Sequence, residues 1–176
     1  MQARENAMGP EAQDEISEEA AMLLAAARNA AFAEASQGRL GHGLDLLQAA
    51  LQQEPQSHDL LSDMAALLLS AGELHLAAAH ARQALEISPH HGPSIYSLAF
   101  AQMGQGQLVE ARDLMRRLVL GPAHESLVAE APELMALVQA ELDRLETLTA
   151  GPVPAAVHML VEQLSQQSSS QRPTAG

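Results

Sequence analysis

The sequence predicts an all-α protein made of stacked helical hairpins, on the strength of two observations. Hydrophobic residues make up 47% of the 176 residues but aromatic residues only 2%, so the apolar content is mainly Ala and Leu, which favour helices over strands. A Gly-Xaa-Leu pattern recurs every 34 residues, with its glycine at Gly38, Gly72 and Gly106. Self-similarity at a fixed period indicates supersecondary units that stack on one another.

The N-terminal part of the chain is predicted to be a disordered arm followed by a long helix. The arm spans residues 1–13, and the helical pattern starts at Asp14, where acidic residues complement the positive end of a helix dipole. This helix could continue to Gln37, because Gly38 is the first residue that would end it. Residues 14–167 are predicted to form a single domain.

Each repeat is predicted to be a helical hairpin that turns at its glycine, because glycine accepts the left-handed backbone that ends a helix. Pro55 and Pro89 are also 34 residues apart. Each would stop a second helix or open the next first helix, since proline inside a helix breaks it. The predicted helices of the repeats span 40–53, 57–70, 73–86, 92–104 and 107–120.

The C-terminal part of the chain loses the period after Gly121. Residues 125–149 predict a terminal helix with apolar residues at helical spacing, and Pro132 is its one candidate break. A short amphipathic helix is predicted over 155–166, followed by a disordered, Ser-rich tail over 168–176. The terminal helices either cap the last repeat, as open stacks require, or form an interface.

A helical hairpin of 34 residues with these Gly, Leu and Pro positions resembles the tetratricopeptide repeat (TPR). Ala65 and Ala99 match the small residues at which the two helices of a TPR hairpin pack tightly, and Gly43 stands at a usual Ala position of the second helix. The sequence departs from the family at Pro122, which comes one place early, and in having Leu, Met and Ala in place of large core aromatics. Three repeats are expected, over residues 24–55, 58–89 and 92–123.

The TPR resemblance implies a peptide-binding groove, because the first helix of each hairpin lines the concave face in that family. The implied positions include all three aromatic residues of the chain, Phe32, Tyr96 and Phe100, and aromatic side chains dominate the energetics of many protein interfaces. We therefore expect a groove that grips apolar side chains. The alternative is that these rings pack against a neighbouring helix or under the N-terminal segment. The implied groove residues are Ala25, Arg28, Phe32, Ala35, Asp59, Ser62, Ala66, Leu69, Pro93, Tyr96, Phe100 and Met103.

Composition excludes several other classes of function. A net charge of −13 disfavours nucleic-acid partners and anionic membrane surfaces. The chain has no Lys and no Cys, which excludes Schiff-base chemistry, the lysine of a phosphate-binding loop and a thiolate nucleophile. No catalytic motif stands out, so we expect a non-enzymatic protein without a cofactor.

The longest apolar run, from Ala20 to Ala27, does not predict insertion into a membrane. It is much shorter than the roughly 20 apolar residues of a membrane-spanning helix. Acidic residues precede it, whereas a signal peptide has a basic start. The expected location is the cytoplasm.

The eight histidines do not predict a metal site. His75 and His80 are five residues apart, which places them on different faces of a helix, and His90 and His91 lie in a predicted turn. We expect solvated histidines on surfaces and turns.

The layout of an N-terminal helical extension, three repeats and a C-terminal helical cap is similar to that of class II chaperones of bacterial type III secretion. In that family an extended client segment places apolar anchors in the concave face, although this chain lacks the Tyr-rich helices of the family. The likeness implies a cytoplasmic chaperone for a protein client, as a monomer or a homodimer. The alternative is a TPR scaffold or assembly subunit that self-associates or bridges components of a complex. A clamp for the acidic tails of heat-shock chaperones is excluded, because the groove has Arg28 alone, against Asp59.

Overall fold

The computed structural model of the protein describes residues 10–151, with side chains from Glu18 onward. This part of the chain is all-helical, as predicted. The predicted helix over 155–166, the predicted tail over 168–176 and residues 1–9 of the predicted arm lie outside the described residues. No helix that the structure describes is long and apolar enough to cross a membrane. The described helices are α1 (Pro10–Ser36), α2 (Leu40–Gln53), α3 (His58–Ser70), α4 (Leu74–Ile87), α5 (Gly92–Gly104), α6 (Leu108–Leu120), α7 (His124–Glu130) and α8 (Pro132–Thr149).

Helix α1 begins at Pro10, so the prediction that residues 10–13 belong to a disordered arm is wrong. Proline is well suited to the first turn of a helix. Its fixed φ is close to the helical value, and its missing N–H would have no partner within the helix at that position. The helix ends at Ser36, just before the predicted end at Gln37.

The first helix of each hairpin ends in the same glycine turn. Gly38, Gly72 and Gly106 have φ of 80°, 78° and 77°, the left-handed conformation that glycine adopts without a Cβ clash. In the first turn the glycine N–H donates to the carbonyl three residues back, and the N–H of Arg39 donates to the carbonyl of Glu34. These two bonds define a Schellman motif. The turns after α3 and α5 have the same bonds, so the period of the sequence is also a period of backbone geometry.

The hairpins bury two rows of small residues, one on the first helices and one on the second helices. Small side chains at a helix crossing let the two backbones approach closely. The first row is Ala31, Ala65 and Ala99, and the second is Gly43, Ala77 and Ala111. All of these residues are buried, and within each row they are spaced at the repeat period. Repeated packing therefore accompanies the repeated turns.

The buried apolar side chains form two clusters that meet. The larger cluster runs through α3 to α8 and includes Met115 and Leu145. The smaller cluster joins α1 and α2 to α3 and includes Leu47 and Leu60. Leu44 packs against both clusters, so one apolar interior extends along the stack from α1 to α8.

Helices α7 and α8 divide the terminal helix that was predicted over 125–149. The break falls at Ala131, whose φ of −145° and ψ of 65° are not helical, immediately before Pro132. Proline disfavours a helical backbone in the residue before it. Helix α8 packs along α6 and buries the apolar residues Met135, Val138, Leu142 and Leu145. It therefore covers the face of the third hairpin that a further repeat would otherwise cover.

Candidate functional site

The first helices of the hairpins, α1, α3 and α5, form one face of the stack. Helix α3 contacts both α1 and α5, whereas the second helices α2, α4 and α6 make few or no direct contacts with one another. The first helices therefore lie closer together than the second helices do, and the stack curves toward them. We call the side formed by α1, α3 and α5 the inner face. It is the side on which the sequence predicts the groove.

Two of the three aromatic residues lie together on α5. The ring centroids of Tyr96 and Phe100 are 4.5 Å apart, with an interplanar angle of 42°. Both side chains are half-buried and pack against the larger apolar cluster, and burial raises the pKa of the Tyr96 hydroxyl. Phe32 on α1 is 41% exposed and has no aromatic neighbour within the described range. The α5 pair thus combines core packing with an exposed part, whereas Phe32 is a surface residue.

Arg28 on α1 makes its closest ion pair with Asp63 on α3, a residue that the predicted groove set lacks. The Arg28 Nε–H donates to Oδ2 of Asp63, and Nη2 donates to Oδ1 at 3.2 Å. Asp63 is only 8% exposed, and the hydrogen bond to it raises the pKa of Arg28. Asp59 is a weaker partner, with 3.7 Å between its Oδ2 and Nη1 of Arg28. Asp63 follows Asp59 by four residues, so spacing on one helix face is the signal that would have found it.

The other predicted groove residues differ in burial. Ser62 is only 4% exposed, so the prediction that its side chain lines the groove is wrong. Helix α3 contacts α1, α2, α4 and α5, and most of its residues, Ser62 among them, are buried. Leu69 and Met103 are half-buried at the edge of the larger apolar cluster. Among the remaining positions, Ala25 and Pro93 are exposed, and Ala35 and Ala66 are half-buried.

An apolar cleft of about 610 Å³ lies between α1 and α2, away from the predicted groove. Leu23, Leu24 and Leu46 line it. Leu23 is 65% exposed, and the adjacent Met22 is 73% exposed. The apolar run from Ala20 to Ala27 is the sequence signal for this cleft, because a helix that is apolar on several faces needs more than one covering partner.

Two histidines that are distant in sequence lie beside one carboxylate. Nε2 of His91, the residue before α5, is 3.3 Å from Oδ1 of Asp59. Nε2 of His58, the first residue of α3, is 3.7 Å from the same oxygen. The expectation of separate, solvated histidines therefore missed this cluster, since the two become neighbours only when consecutive first helices align. Within the described part of the chain, these three residues are the group whose side chains are close enough to share a metal ion.

Known proteins to which this chain is similar include TPR proteins. A family model described as tetratricopeptide repeat matches residues 68–136. The first TPR of Spaghetti (RPAP3), solved with an HSP90 peptide SRMEEVD, is 14% identical and superposes with a TM-score of 0.62 over 74% of this chain and 98% of that one. The first TPR domain of human RPAP3 is also 14% identical, with a TM-score of 0.57 over 71% of this chain and 96% of that one. No curated protein matches the sequence of this chain.

The family match and the geometry support the same conclusion. The matched residues 68–136 run from the end of α3 into α8, and the glycine turns and small-residue rows extend the same repeat back to α1 and α2. At a sequence identity of 14%, the likeness to the solved structures shows a shared fold alone. Repeat period, turn geometry and helix order agree with these comparisons: residues 68–136 match the tetratricopeptide repeat, and the described helices form a stack with the TPR fold.

Proposed function

We propose that this protein is a non-enzymatic, cytoplasmic chaperone that holds an extended apolar segment of a protein client on the inner face. The observation that carries the proposal is the Tyr96–Phe100 pair on α5, whose rings contact each other and remain partly exposed. Phe32 adds a third, more exposed ring on α1. Rigid aromatic side chains provide large contact area at low entropic cost, which suits them to anchor an incoming chain.

The charges of the inner face favour a client segment that is apolar and not acidic. Arg28 is the one arginine in the described parts of α1, α3 and α5, and its guanidinium is paired with Asp63 and Asp59. A peptide carboxylate would have to compete with both of these side chains. The Spaghetti TPR was solved with a peptide that contains two glutamates and a terminal aspartate, so the client proposed here has a different chemistry.

The most specific part of the proposal is the kind of client, which is of the type that secretion chaperones hold. It is supported by the layout of a long α1, three hairpins and the terminal helices α7 and α8. It is also supported by the net charge of −13, since a strongly charged chaperone stays soluble while its client contributes apolar surface.

The proposal is tested by peptide binding. A labelled, extended peptide with alternating Leu and Ser residues is titrated with the protein, and its fluorescence anisotropy is measured. The double variant Tyr96→Leu/Phe100→Leu keeps apolar volume in the core but removes both rings, and Phe32→Ala removes the third. We expect each to weaken binding about tenfold, in line with the loss of an interface anchor.

Leu76→Ala is the matched control, because Leu76 is 52% exposed on α4, outside the inner face. The Leu76→Ala variant should bind the peptide with the affinity of the unchanged protein. Wild-type affinity in both ring variants, with helicity retained by circular dichroism, would refute the proposal. A pull-down from the native cell then names the client, and recovery of an export substrate supports the secretion type.

The α1–α2 cleft favours a second candidate, a scaffold that self-associates through α1. Met22 and Leu23 are largely exposed, and burial of such side chains favours association. Analytical ultracentrifugation should then show an oligomer that Leu23→Glu dissociates and Val109→Glu, at an exposed position on α6, leaves intact. A monomer at every concentration would exclude this candidate.

A further inference from the structure

We propose that His58, Asp59 and His91 form a binding site for a divalent transition-metal ion of the zinc class, at the rim of the inner face. Neither the family match nor the proposed client binding calls for such a site. His58 and Asp59 are the first two residues of α3, and His91 is the residue before α5. Two imidazoles and one carboxylate are a ligand set that suits zinc and its neighbours better than Mg²⁺ or Ca²⁺, which prefer oxygen.

The distances from Oδ1 of Asp59 to the two histidine nitrogens are close to the distances between neighbouring ligand atoms around a bound zinc ion. Nε2 of His91 is 3.3 Å from Oδ1 of Asp59, and Nε2 of His58 is 3.7 Å from that oxygen. In a tetrahedral zinc site with bonds of roughly 2.0–2.1 Å, neighbouring ligand atoms are about 3.3 Å apart. One atom from each of the three side chains lies within 4.8 Å of the others. Small rotations of His58, whose side chain is 38% exposed, would close the remaining gap.

The surroundings of His91 hold its ring in an orientation suited to coordination. Its Nδ1 is 2.7 Å from Oγ of Ser94, and Ser94 is fully buried. With the proton on Nδ1, the ring donates to Ser94 and directs the lone pair of Nε2 toward Asp59. A hydrogen bond from the second nitrogen is what usually orients a metal-binding histidine.

Two nearby features oppose a cation, and each is limited. Arg28 approaches Asp59 through Oδ2 at 3.7 Å, which leaves Oδ1 for the ion, and its closer partner is Asp63. The carboxylates of Asp59 and Asp63 outnumber this one guanidinium. The N-terminal ends of α3 and α5 carry partial positive charge, an effect that water and salt screen at the surface. Three protein ligands leave a fourth position open for water or a client side chain.

The site is tested with the full chain after removal of metals by EDTA. Zn²⁺ is titrated calorimetrically, and Co²⁺ is used as a spectroscopic probe because its visible absorption reports the coordination geometry. We expect one ion per chain at the tightest site, with an absorption typical of tetrahedral nitrogen and oxygen ligands. Mg²⁺ should not compete.

Three single variants, His58→Gln, Asp59→Asn and His91→Asn, should each weaken the tightest site at least tenfold. Asparagine at position 91 retains a side chain that can cap α5, and circular dichroism confirms that each variant is folded. His75→Gln and His90→Asn are matched controls at exposed positions and should bind as the unchanged protein does. Arg28→Met should tighten binding, because it removes a guanidinium that competes with the ion for Asp59.

The proposal is overturned if folded His58→Gln and His91→Asn keep the affinity and stoichiometry of the unchanged protein. It is equally overturned if the two control variants lose as much affinity as the three ligand variants, since the ion would then be held by scattered surface histidines. If His91→Asn alone fails to fold, His58→Gln and Asp59→Asn decide the question.

Discussion

The backbone of α2 at Gly43 lies directly against the backbone of α1 at Ala31. A Cβ atom on Gly43 would be 2.6 Å from the carbonyl oxygen of Ala31, a distance that real Cβ contacts essentially never show. The equivalent residues of the second and third hairpins, Ala77 and Ala111, carry a Cβ atom and are fully buried. Glycine at this one position therefore marks an unusually close approach of α1 to α2, on the same pair of helices that lines the apolar cleft.

Replacement of Gly43 by Ala should destabilise the protein. Alanine favours a helix by about 1 kcal/mol relative to glycine, but overpacking of a close contact typically costs about 1–3 kcal/mol. Because the clash is with backbone rather than with a flexible side chain, we expect a net loss of about 1 kcal/mol or more in the free energy of unfolding, measured by urea denaturation.

The control for this prediction is Gly41→Ala in the same helix. Gly41 is exposed, and a Cβ there would meet nothing within 4 Å, so only the helix propensity changes and stability should rise by about 0.5–1 kcal/mol. Equal stabilisation by both variants would show that α1 and α2 can separate without cost, contrary to the prediction.

The glycine turns give a second prediction, at Gly72. Its φ of 78° is left-handed, and a Cβ atom on this residue would have no other atom within 4 Å, so a substitution there meets conformational strain alone. Gly72→Ala should lower stability by about 1 kcal/mol, near the lower limit of the cost of a left-handed residue. Gly72→Asn should lose less, since asparagine tolerates this conformation better. If Gly72→Ala and Gly72→Asn have the same melting temperature, the turn does not impose the left-handed backbone in solution.

These turns also explain how much of the fold could be predicted from the sequence. The period of Gly38, Gly72 and Gly106 is local chemistry, because each glycine ends its own helix through a backbone conformation that other residues avoid. The presence of the helices and their order along the chain follow from such local signals. The start of α1 at Pro10 is harder to predict. Few apolar residues precede Asp14, so the sequence has no helical pattern there, although a proline can begin a helix.

The candidate site was less predictable, because its contacts join different repeats. The pairing of Arg28 with Asp63, the burial of Ser62 and the approach of His58 to His91 all depend on how α1, α3 and α5 lie beside one another. A family template gives the face of each helix but not the exposed fraction of each side chain or its partner in the next hairpin. Ser62 shows the consequence, since a residue on the predicted face is only 4% exposed.

The ion pair between Arg28 and Asp63 gives a third prediction, for the coupling of α1 to α3. In a double-mutant cycle with Arg28→Met and Asp63→Asn, in the presence of EDTA, we expect a coupling free energy of about 1 kcal/mol. The estimate is moderate because the Arg28 side chain is 38% exposed and water screens its charge.

The exposed pair Arg144–Glu141 on α8 is the comparison for this cycle. It has a nitrogen-to-oxygen distance of 2.9 Å but joins residues three apart in one helix, with side chains 57% and 23% exposed. A coupling of about 0.3–0.5 kcal/mol is typical of such pairs. A coupling for Arg28–Asp63 no larger than this would mean that the contact does not hold α1 to the stack.

The last prediction concerns Glu34, whose carboxylate lies beside the first glycine turn. Oε1 of Glu34 accepts a hydrogen bond from Nη2 of Arg39 at 2.7 Å, and Nδ1 of His42 is 2.8 Å from Oε2. These two bonds lower the pKa of Glu34 from its ordinary value of 4.5 to about 2. Between these two pH values the unfolded chain binds a proton that the folded protein does not, so acid favours unfolding. The stabilising effect of Glu34 is therefore present above about pH 4.5 and is lost as the pH falls toward about 2.

Glu34→Gln should accordingly lower the melting temperature at neutral pH, and the difference from the unchanged protein should disappear in acid. The measurement is thermal unfolding by circular dichroism at neutral pH, near pH 4.5 and near pH 2. Glu110→Gln is the control, because Glu110 is exposed and makes no ion pair with any residue in the described range. The amide of Gln keeps the shape of the Glu side chain and loses only the charge. A difference in melting temperature that shrinks in acid therefore identifies the ionised carboxylate as its source. A difference that is constant with pH would contradict this and would attribute the effect to packing of the turn.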